Sequence, residues 1–333
     1  MPISYDTLAS EIINGAKITQ DQAHRLTAVE QMQDIFSFMS AANRIRHHYK
    51  SNVIDLCGVI NAKSGKCSEN CSFCAQSAYH NTDIQEYSLL SVEEMVNTAN
   101  MVSTMNAHRV GIVTSGKTVR TKDEIDALCE ALRRIKTELS IRRCASLGTL
   151  DEDALYKLKE AGLESYHHNL ETSESFFPQI CTTHSYQSRI DTVRTAKKVG
   201  LRVCSGGLFG LGEEWEHRVE MAFTLRDLDV DMVPLNFLHP VKGTRLENAE
   251  PLKALEILKL IALYRFILPD KDLRICGGRE VNLRGLQPLM FVAGANGTMV
   301  GNYLTTAGRD YKQDLQDISD LGLIPRQMED VLI

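Results

Sequence analysis

The stretch that decides the fold is HRVGIVTSGKTVRTKDEIDALCEALRRIKTELSIRRCASL (residues 108–147), because a strand, a helix and a second strand follow one another in it. Its first and last seven residues are short apolar runs with branched side chains, as in buried strands. The segment 121–139 has apolar residues at helical spacing, and Thr121 with Glu124 forms a capping box at its start. This alternation is typical of a parallel sheet covered by helices.

The same alternation begins at Val53 and continues through most of the chain. Strands are predicted at residues 53–60, 108–114, 141–147, 164–170, 201–207, 232–238, 273–278 and 298–303. Helices are predicted at 91–102, 121–139, 151–162, 185–200, 213–228, 251–268 and 281–294. Ser91 with Glu94 forms a second capping box, and Gly162 and Gly200 stand where helices commonly stop. Strands and helices in this order indicate a single α/β domain, a (β/α)8 TIM-type barrel.

The barrel accounts for residues 51–307. Residues 1–50 are predicted to form extra helices ahead of it, and 308–333 a polar C-terminal tail. In barrels of this type the active site lies at the C-terminal ends of the strands. Polar and thiol side chains at those ends are therefore the candidates for function.

Composition narrows the class of protein. The chain has 333 residues, 43% of them hydrophobic and 24% charged, with a net charge of -6, which is globular composition without the basic excess of a nucleic-acid-binding protein. No secretory signal and no apolar window of about 18 residues are found, so we expect a soluble cytoplasmic protein without membrane contact. Its nine cysteines are then more often metal ligands or catalysts than disulfides.

Three of those cysteines follow the first predicted strand with the spacing C-x3-C-x2-C, as Cys67, Cys71 and Cys74. Three thiolates on one loop can hold three corners of a four-iron cubane and leave the fourth iron open for a substrate or cofactor. The alternatives are a zinc site, which usually has four closed ligands and C-x2-C pairs, and chance clustering. Phe73 places an aromatic ring on this loop.

The loop resembles that of the radical S-adenosylmethionine (SAM) superfamily, and residues 35–322 resemble the biotin synthase family. The matching stretches are CSENCSFCAQS, CASLGTL, YHHNLET, TTHSYQSRIDT, VCSGGLFGLGE, VPLNFLHPVKGT, LRICGGRE, FVAGANG and YLTT. The resemblance implies sulfur insertion between C6 and C9 of dethiobiotin, driven by reductive cleavage of SAM at the open iron. It also implies an auxiliary iron–sulfur cluster as the sulfur source, a flavodoxin or ferredoxin as electron donor, and a homodimer.

The same resemblance assigns residues around SAM. Asn169 and Glu171 match positions that bind its ribose and amino acid part, although the family usually has aspartate where Glu171 stands. Arg189 matches an arginine that pairs with the SAM carboxylate, and Phe73 belongs to the same site. From spacing alone, Arg189 would be a solvated charge on a helix.

Substrate contacts are implied at a second set of positions. Asn236 matches an asparagine that binds the ureido ring of dethiobiotin, and His167 stands where many members have a second asparagine. Thr305 and Thr306 match a pair near the valeryl carboxylate, in a stretch that is one residue shorter here.

The auxiliary site departs from the family pattern of three cysteines and one arginine. Cys144, Cys204 and Arg274 match, but the position on the second strand is Gly111, and Cys276 is an additional thiol two residues after Arg274. We predict a four-iron cubane on the three cysteines, with an extra sulfide on its fourth iron as the sulfur donor. Arg274 would then be a charge partner; the alternative is a two-iron cluster that keeps Arg274 as a ligand.

The remaining cysteines, Cys57, Cys129 and Cys181, are interpreted as small buried hydrophobes. Two other functions stay open. One is a different radical SAM enzyme of the same subfamily, such as a hydrogenase-maturation or methylornithine-forming type. The other is a non-catalytic iron–sulfur scaffold or electron carrier, which the SAM-matching residues disfavour.

Overall fold

The computed structural model describes residues 4–119 and 121–327. Its strands are β1 (Val53–Lys63), β2 (Arg109–Thr114), β3 (Arg142–Ser146), β4 (Ser165–His167), β5 (Arg202–Cys204), β6 (Gly207–Phe209), β7 (Met232–Phe237), β8 (Asp272–Ile275), β9 (Gly297–Met299) and β10 (Ile324–Pro325). They pair in parallel in the order β1-β2-β3-β4-β5-β7-β8-β9, and β9 pairs back with β1. Since β5 and β6 both pair with β7, they share one of the eight positions of a closed barrel, which confirms the predicted fold.

Three helices precede the barrel: α1 (Tyr5–Ile13), α2 (Gln20–Thr27) and α3 (Met32–Lys50). The others are α4 (Val92–Ser103), α5 (Lys122–Glu138), α6 (Glu152–Glu160), α7 (Phe177–Ile180), α8 (Tyr186–Lys198), α9 (Trp215–Asp227), α10 (Ala254–Ile267), α11 (Arg279–Asn282), α12 (Leu289–Val292) and α13 (Tyr311–Asp320). Both predicted capping boxes are present, at the starts of α4 and α5. No helix within the described ranges is long and apolar enough to cross a membrane.

The predicted helix at 281–294 is wrong as a continuous element. The structure has α11, a 3-10 turn at Arg284–Leu286, and α12 there. Arg284 has a φ of 52°, and Pro288 has no N–H to donate to a preceding turn. Apolar spacing alone does not reveal either interruption.

Residues 308–327 are more ordered than the predicted polar tail, whose remaining residues, 328–333, lie outside the described ranges. The segment 308–327 contains α13, and β10 pairs with the start of β1. Asp314 on α13 accepts two hydrogen bonds from Arg279, at 2.7 and 2.8 Å, and both side chains are almost fully buried. The polar composition therefore conceals a buried ion pair that fastens this segment to the barrel.

Candidate active site

The cysteine loop follows β1 and turns tightly across the mouth of the barrel. The Cys74 amide donates to the Cys71 carbonyl at 3.1 Å, and the Cys67 amide donates to the Gln76 carbonyl at 2.9 Å. These turns bring Cys67, Cys71 and Cys74 together on the wall of one cavity of about 200 Å³. The structure thus collects the three thiols that the spacing singled out.

Burial raises the pKa of the Cys74 thiol to about 11, because a thiolate there loses its hydration. The pKa of Cys71 is raised as well, first by a hydrogen bond with Cys181 and then by burial. Such thiols ionise readily only beside a cationic partner, and iron ions provide one. The loop is therefore suited to hold a metal cluster.

Four residues predicted to contact SAM line the same cavity: Phe73, Asn169, Glu171 and Arg189. Arg189 donates to the Asn169 carbonyl at 2.8 Å, and its guanidinium lies 3.5 Å from the Glu171 carboxylate. Glu171 has a φ of 72°, so the chain turns sharply just after β4. Burial raises the pKa of this carboxyl group. A cation and a buried carboxyl group thus lie beside the thiols, as binding of an amino acid moiety requires.

Sequence reasoning missed a group of polar side chains behind Arg189. His184 accepts a hydrogen bond from Arg189 Nε at 3.1 Å, and its Nδ1 lies 2.5 Å from Glu69 Oε2. The neutral ring that satisfies both contacts carries its proton on Nδ1. Cys181 lies 3.3 Å from His184, and the ligating atoms of Cys71, Cys181 and His184 fall within 4.8 Å of one another. Cys181 is buried in the hydrophobic core, as predicted, and its thiol also contacts the polar group behind Arg189.

A second cavity of about 390 Å³ lies deeper in the barrel and shares Phe73 and Cys74 with the first. Cys144, Cys204 and Cys276 all line it. Gly111 pairs in register with Cys144 on the neighbouring strand, so the position that lacks a thiol faces the same space. The structure therefore brings the three predicted auxiliary thiols together below the cysteine loop.

The pKa values of these three thiols are all raised. Burial is the main cause for Cys144 and Cys204, whereas a hydrogen bond with Cys57 is the main cause for Cys276. Arg274 lines the cavity, is 2% exposed, and has a buried Nε atom without a hydrogen-bond partner among the described residues. Neutral thiols beside a guanidinium with one unpaired N–H fit a group that converts them to thiolates, as an iron–sulfur cluster does.

Arg274 is held by a carboxylate that sequence reasoning did not single out. Its Nη2 donates to Asp55 Oδ2 at 2.5 Å, and Asp55 also contacts His108 at 2.8 Å and Arg326 at 2.7 Å. Burial opposes ionisation of Asp55, but the Arg274 guanidinium holds its pKa well below the usual range. A second cation, Arg109, is 3% exposed and donates to Ser165 at 3.0 Å. Positive charge thus surrounds the base of the cavity.

The predicted substrate contacts also line this cavity. Asn236 donates to the Gly207 carbonyl at 3.1 Å and accepts from the Gly277 amide at 3.0 Å, so its amide group is fixed in orientation. His167 lies 3.3 Å from the Cys204 sulfur, and burial lowers its pKa to about 4. It is therefore a neutral group at pH 7. Thr305 and Thr306 lie near the opening.

Cys57 is the most important residue that the sequence did not reveal as functional. It lines the lower cavity together with Cys276, and interaction with the Cys276 thiol lowers the pKa of Cys57 to about 7. A signal was available, since Asp55 and Cys57 alternate in the first predicted strand just as Arg274 and Cys276 do in the predicted strand 273–278. Cys129, by contrast, is a buried thiol on α5, as predicted.

Comparison with known proteins gives two family matches. Residues 62–225 match the radical SAM superfamily and residues 234–324 match the Biotin and Thiamin Synthesis associated domain. The biotin synthase of Citrifermentans bemidjiense is 55% identical over 316 residues, covering 95% of this chain and 96% of that protein. The biotin synthase of Geobacter sulfurreducens is 52% identical, covering 97% of this chain and 98% of that protein.

Solved structures share the fold at lower identity. Methylornithine synthase superposes with a TM-score of 0.85 at 24% identity, over 97% of this chain and 98% of that chain. The FeFe-hydrogenase maturase of Carboxydothermus hydrogenoformans gives 0.80 at 19% identity, over 95% and 79%. These structural similarities show a shared barrel fold and nothing further. The two biotin synthases share more than half of their sequence with this chain, and they decide the assignment. Together with the thiol loop and the matched domains, they place this chain in the biotin synthase family of radical SAM enzymes.

Proposed function

We propose that this chain converts dethiobiotin to biotin by inserting sulfur between C6 and C9, with the sulfur drawn from an auxiliary cluster in the lower cavity. The observation that carries the proposal is the deep cavity itself. It is lined by Cys74 and Phe73 of the SAM loop and also by the buried thiols of Cys144, Cys204 and Cys276. A substrate between the two groups of thiols would meet the radical source and the sulfur source in one space.

The upper group would hold the cluster that binds SAM. Cys67, Cys71 and Cys74 supply three thiolates, and a cluster of this kind provides an open iron for chelation and an electron for reductive cleavage. Asn169, Glu171 and Arg189 supply hydrogen bonds and charge beside it. The Glu69–His184 pair contacts Arg189 and positions its guanidinium.

The middle of the cavity would hold dethiobiotin. Asn236 has one N–H and one oxygen lone pair left after its backbone contacts, which suits a ureido ring. His167 stays neutral, so it would contribute a hydrogen bond without a charge. Thr305 and Thr306 at the opening would bind the valeryl carboxylate through their hydroxyl groups.

The lower group would hold a four-iron cubane on Cys144, Cys204 and Cys276, with an extra sulfide on its fourth iron. Two features favour this over a two-iron cluster that keeps Arg274 as a ligand. No side chain fills the cavity wall at Gly111, which leaves room for a larger group. Arg274 already donates to Asp55, so its role would be to balance the charge of the thiolates.

We further propose a cytoplasmic homodimer that receives electrons from a flavodoxin or ferredoxin, built from the helical extension 1–50, the barrel 51–307 and the C-terminal segment 308–333. A different radical SAM activity is the second candidate, since the barrel superposes on methylornithine synthase. At 24% identity that likeness supports a shared fold and no shared substrate.

The test uses full-length protein with its clusters reconstituted under anaerobic conditions. With SAM, a low-potential reductant and dethiobiotin, we expect biotin and 5′-deoxyadenosine by mass spectrometry. The Cys74→Ala variant should form neither product, whereas Cys129→Ala should match the parent. SAM cleavage without biotin would contradict the proposed substrate.

The auxiliary cluster is tested by iron and sulfide analysis with Mössbauer spectroscopy. About eight irons per chain and only four-iron spectra support two cubanes, whereas about six irons with a two-iron spectrum contradict the larger cluster. Biotin formation by Cys276→Ser at the parent rate would remove Cys276 from the site.

A further inference from the structure

We propose that Cys57 is a ligand of the auxiliary cluster, so that the lower site consists of four thiols, three on β1, β3 and β5 and one directly after β8. The proposal rests on the proposed function only in requiring a cluster in this cavity. It adds a ligand from a strand that the family pattern does not use.

The side chain of Cys57 points into the barrel. Residues two apart on a strand face the same side, and Asp55, Cys57 and Val59 form such a series on β1. Asp55 contacts Arg274 at the base of the barrel, and Cys57 and Val59 line the cavity above it. Cys57 is 8% exposed, so its thiol is directed into the barrel and is shielded from bulk solvent.

Cys57 shares its cavity with another thiol. Cys276 lines the same cavity and follows β8, on the far side of β9 from β1. Below these thiols, Gly297 on β9 lets Asp55 and Arg274 approach each other, because a Cβ there would lie 2.8 Å from Arg274 Cγ and 2.9 Å from the Asp55 carbonyl. Side chains of β1 and β8 therefore meet across β9, and one cluster can bind both thiols.

Gly111, the position that lacks a thiol, lies on the strand next to that of Cys57. Gly111 on β2 pairs with Val59 on β1, and Arg109 pairs with Cys57. The thiol of Cys57 thus belongs to the adjacent strand, one inward layer below Gly111, at a separation of about 7 Å along the strand. Cys276 follows β8, which is three strands away from β2 around the barrel. Its thiol alone therefore does not replace a ligand on the β2 side of the cavity. Cys57 supplies a thiol next to the vacant position.

Two consequences follow for the charged groups. With four thiols present, the cluster needs no arginine ligand, which agrees with the Arg274–Asp55 contact. A cubane has four irons, so Cys57 would hold the fourth iron in the resting cluster, and the extra sulfide would bind that iron only when Cys57 is displaced. The ratio of sulfide to iron therefore reports which of them is bound.

The experiment isolates the lower site in a full-length chain that carries Cys67→Ala, Cys71→Ala and Cys74→Ala. After anaerobic reconstitution we expect about four irons per chain in this parent. Adding Cys57→Ala should remove at least about one iron per chain or change the Mössbauer parameters of the cluster. Adding Cys129→Ala, a buried thiol outside the cavity, is the matched control and should change neither quantity.

The outcomes separate the two proposals. Unchanged iron content and an unchanged Mössbauer spectrum in Cys57→Ala would overturn the role of Cys57 and leave the proposed function standing. A parent that binds no iron would overturn both. If circular dichroism shows that Cys57→Ala does not fold, Cys57→Ser replaces it, since an oxygen ligand shifts the isomer shift of the bound iron. An unchanged isomer shift in the Ser variant would equally overturn the assignment.

Discussion

Arg274 and Asp55 form an ion pair at the base of the barrel, with Nη2 and Oδ2 2.5 Å apart and both side chains 2% exposed. The pair joins β8 to β1 beneath the thiol cavity. Removing one partner of such a pair leaves an uncompensated buried charge, whereas the intact pair has both charges balanced.

We therefore expect Asp55→Ala to lower the free energy of unfolding by about 3 to 5 kcal/mol. The substitution leaves the buried charge of Arg274 without its carboxylate partner and removes a contact of Arg326. Urea unfolding of the cluster-free protein measures this. Asp21→Ala is the control, because its pair with Arg25 is exposed and should contribute less than about 1 kcal/mol. Equal effects of the two variants would show that the buried ion pair contributes no more to the free energy of unfolding than the exposed one.

The C-terminal segment gives the second prediction. Asp314→Ala should destabilise the protein by about 3 to 5 kcal/mol, because the buried Arg279 would lose both hydrogen bonds to its carboxylate partner and keep only Glu280, 3.6 Å from its Nε, as an ion-pair partner among the described residues. The matched control is Asp310→Ala at the exposed start of α13, which should cost about 1 kcal/mol through the lost helix cap. Thermal unfolding followed by circular dichroism compares them. A stable Asp314→Ala variant would favour a loosely attached tail.

These two ion pairs show where sequence reasoning was sufficient and where it was not. Apolar periodicity and capping boxes predicted the barrel, because strand and helix spacing are local properties, whereas the cavity-lining cysteines of β3 and β5 were predicted from the family resemblance. Asp55 and Arg274 lie 219 residues apart, and no local pattern relates them. Cys57 was missed although it alternates with Asp55 on β1, because that pattern indicates an inward-facing side chain and does not identify the thiols of distant strands that line the same cavity.

Arg189 gives a prediction for cofactor binding. Arg189→Ala removes the guanidinium beside Glu171 and the contacts to Asn169 and His184, so SAM affinity should fall roughly tenfold to a hundredfold, the usual range for a hydrogen bond to a charged group. Calorimetric titration of the reconstituted protein measures it. Arg194→Ala, on the same helix but exposed, is the control. Iron content should stay equal in both variants, and lost iron in Arg189→Ala would indicate a structural defect instead.

Burial of His168 is expected to make the free energy of unfolding depend on pH. Burial, followed by the charges of Arg189, His167 and His184, holds its pKa well below 6.5. The unfolded chain then binds a proton that the folded chain does not, so stability falls as the pH drops below about 6.5, by up to about 1.4 kcal/mol per pH unit. In the cluster-free protein His168→Gln should show a shallower decline than the parent between pH 6.5 and 5. Exposed His24→Gln should follow the parent, and parallel curves for all three proteins would contradict the assignment.

Gly111 offers a gain-of-ligand test of the lower site. A Cβ at this position would lie 3.6 Å from Val59 Cγ1 and 4.0 Å from Cys144 Cβ, which is ordinary van der Waals contact, so Gly111→Cys should fold normally. In the Cys57→Ala background the introduced thiol would face the same cavity from the adjacent strand. We expect it to restore the auxiliary iron that Cys57→Ala loses, as measured by iron content and Mössbauer spectroscopy. Gly111→Ala fills the same space without a sulfur atom and should restore none, so equal recovery in the two variants would mean that packing and not ligation is responsible.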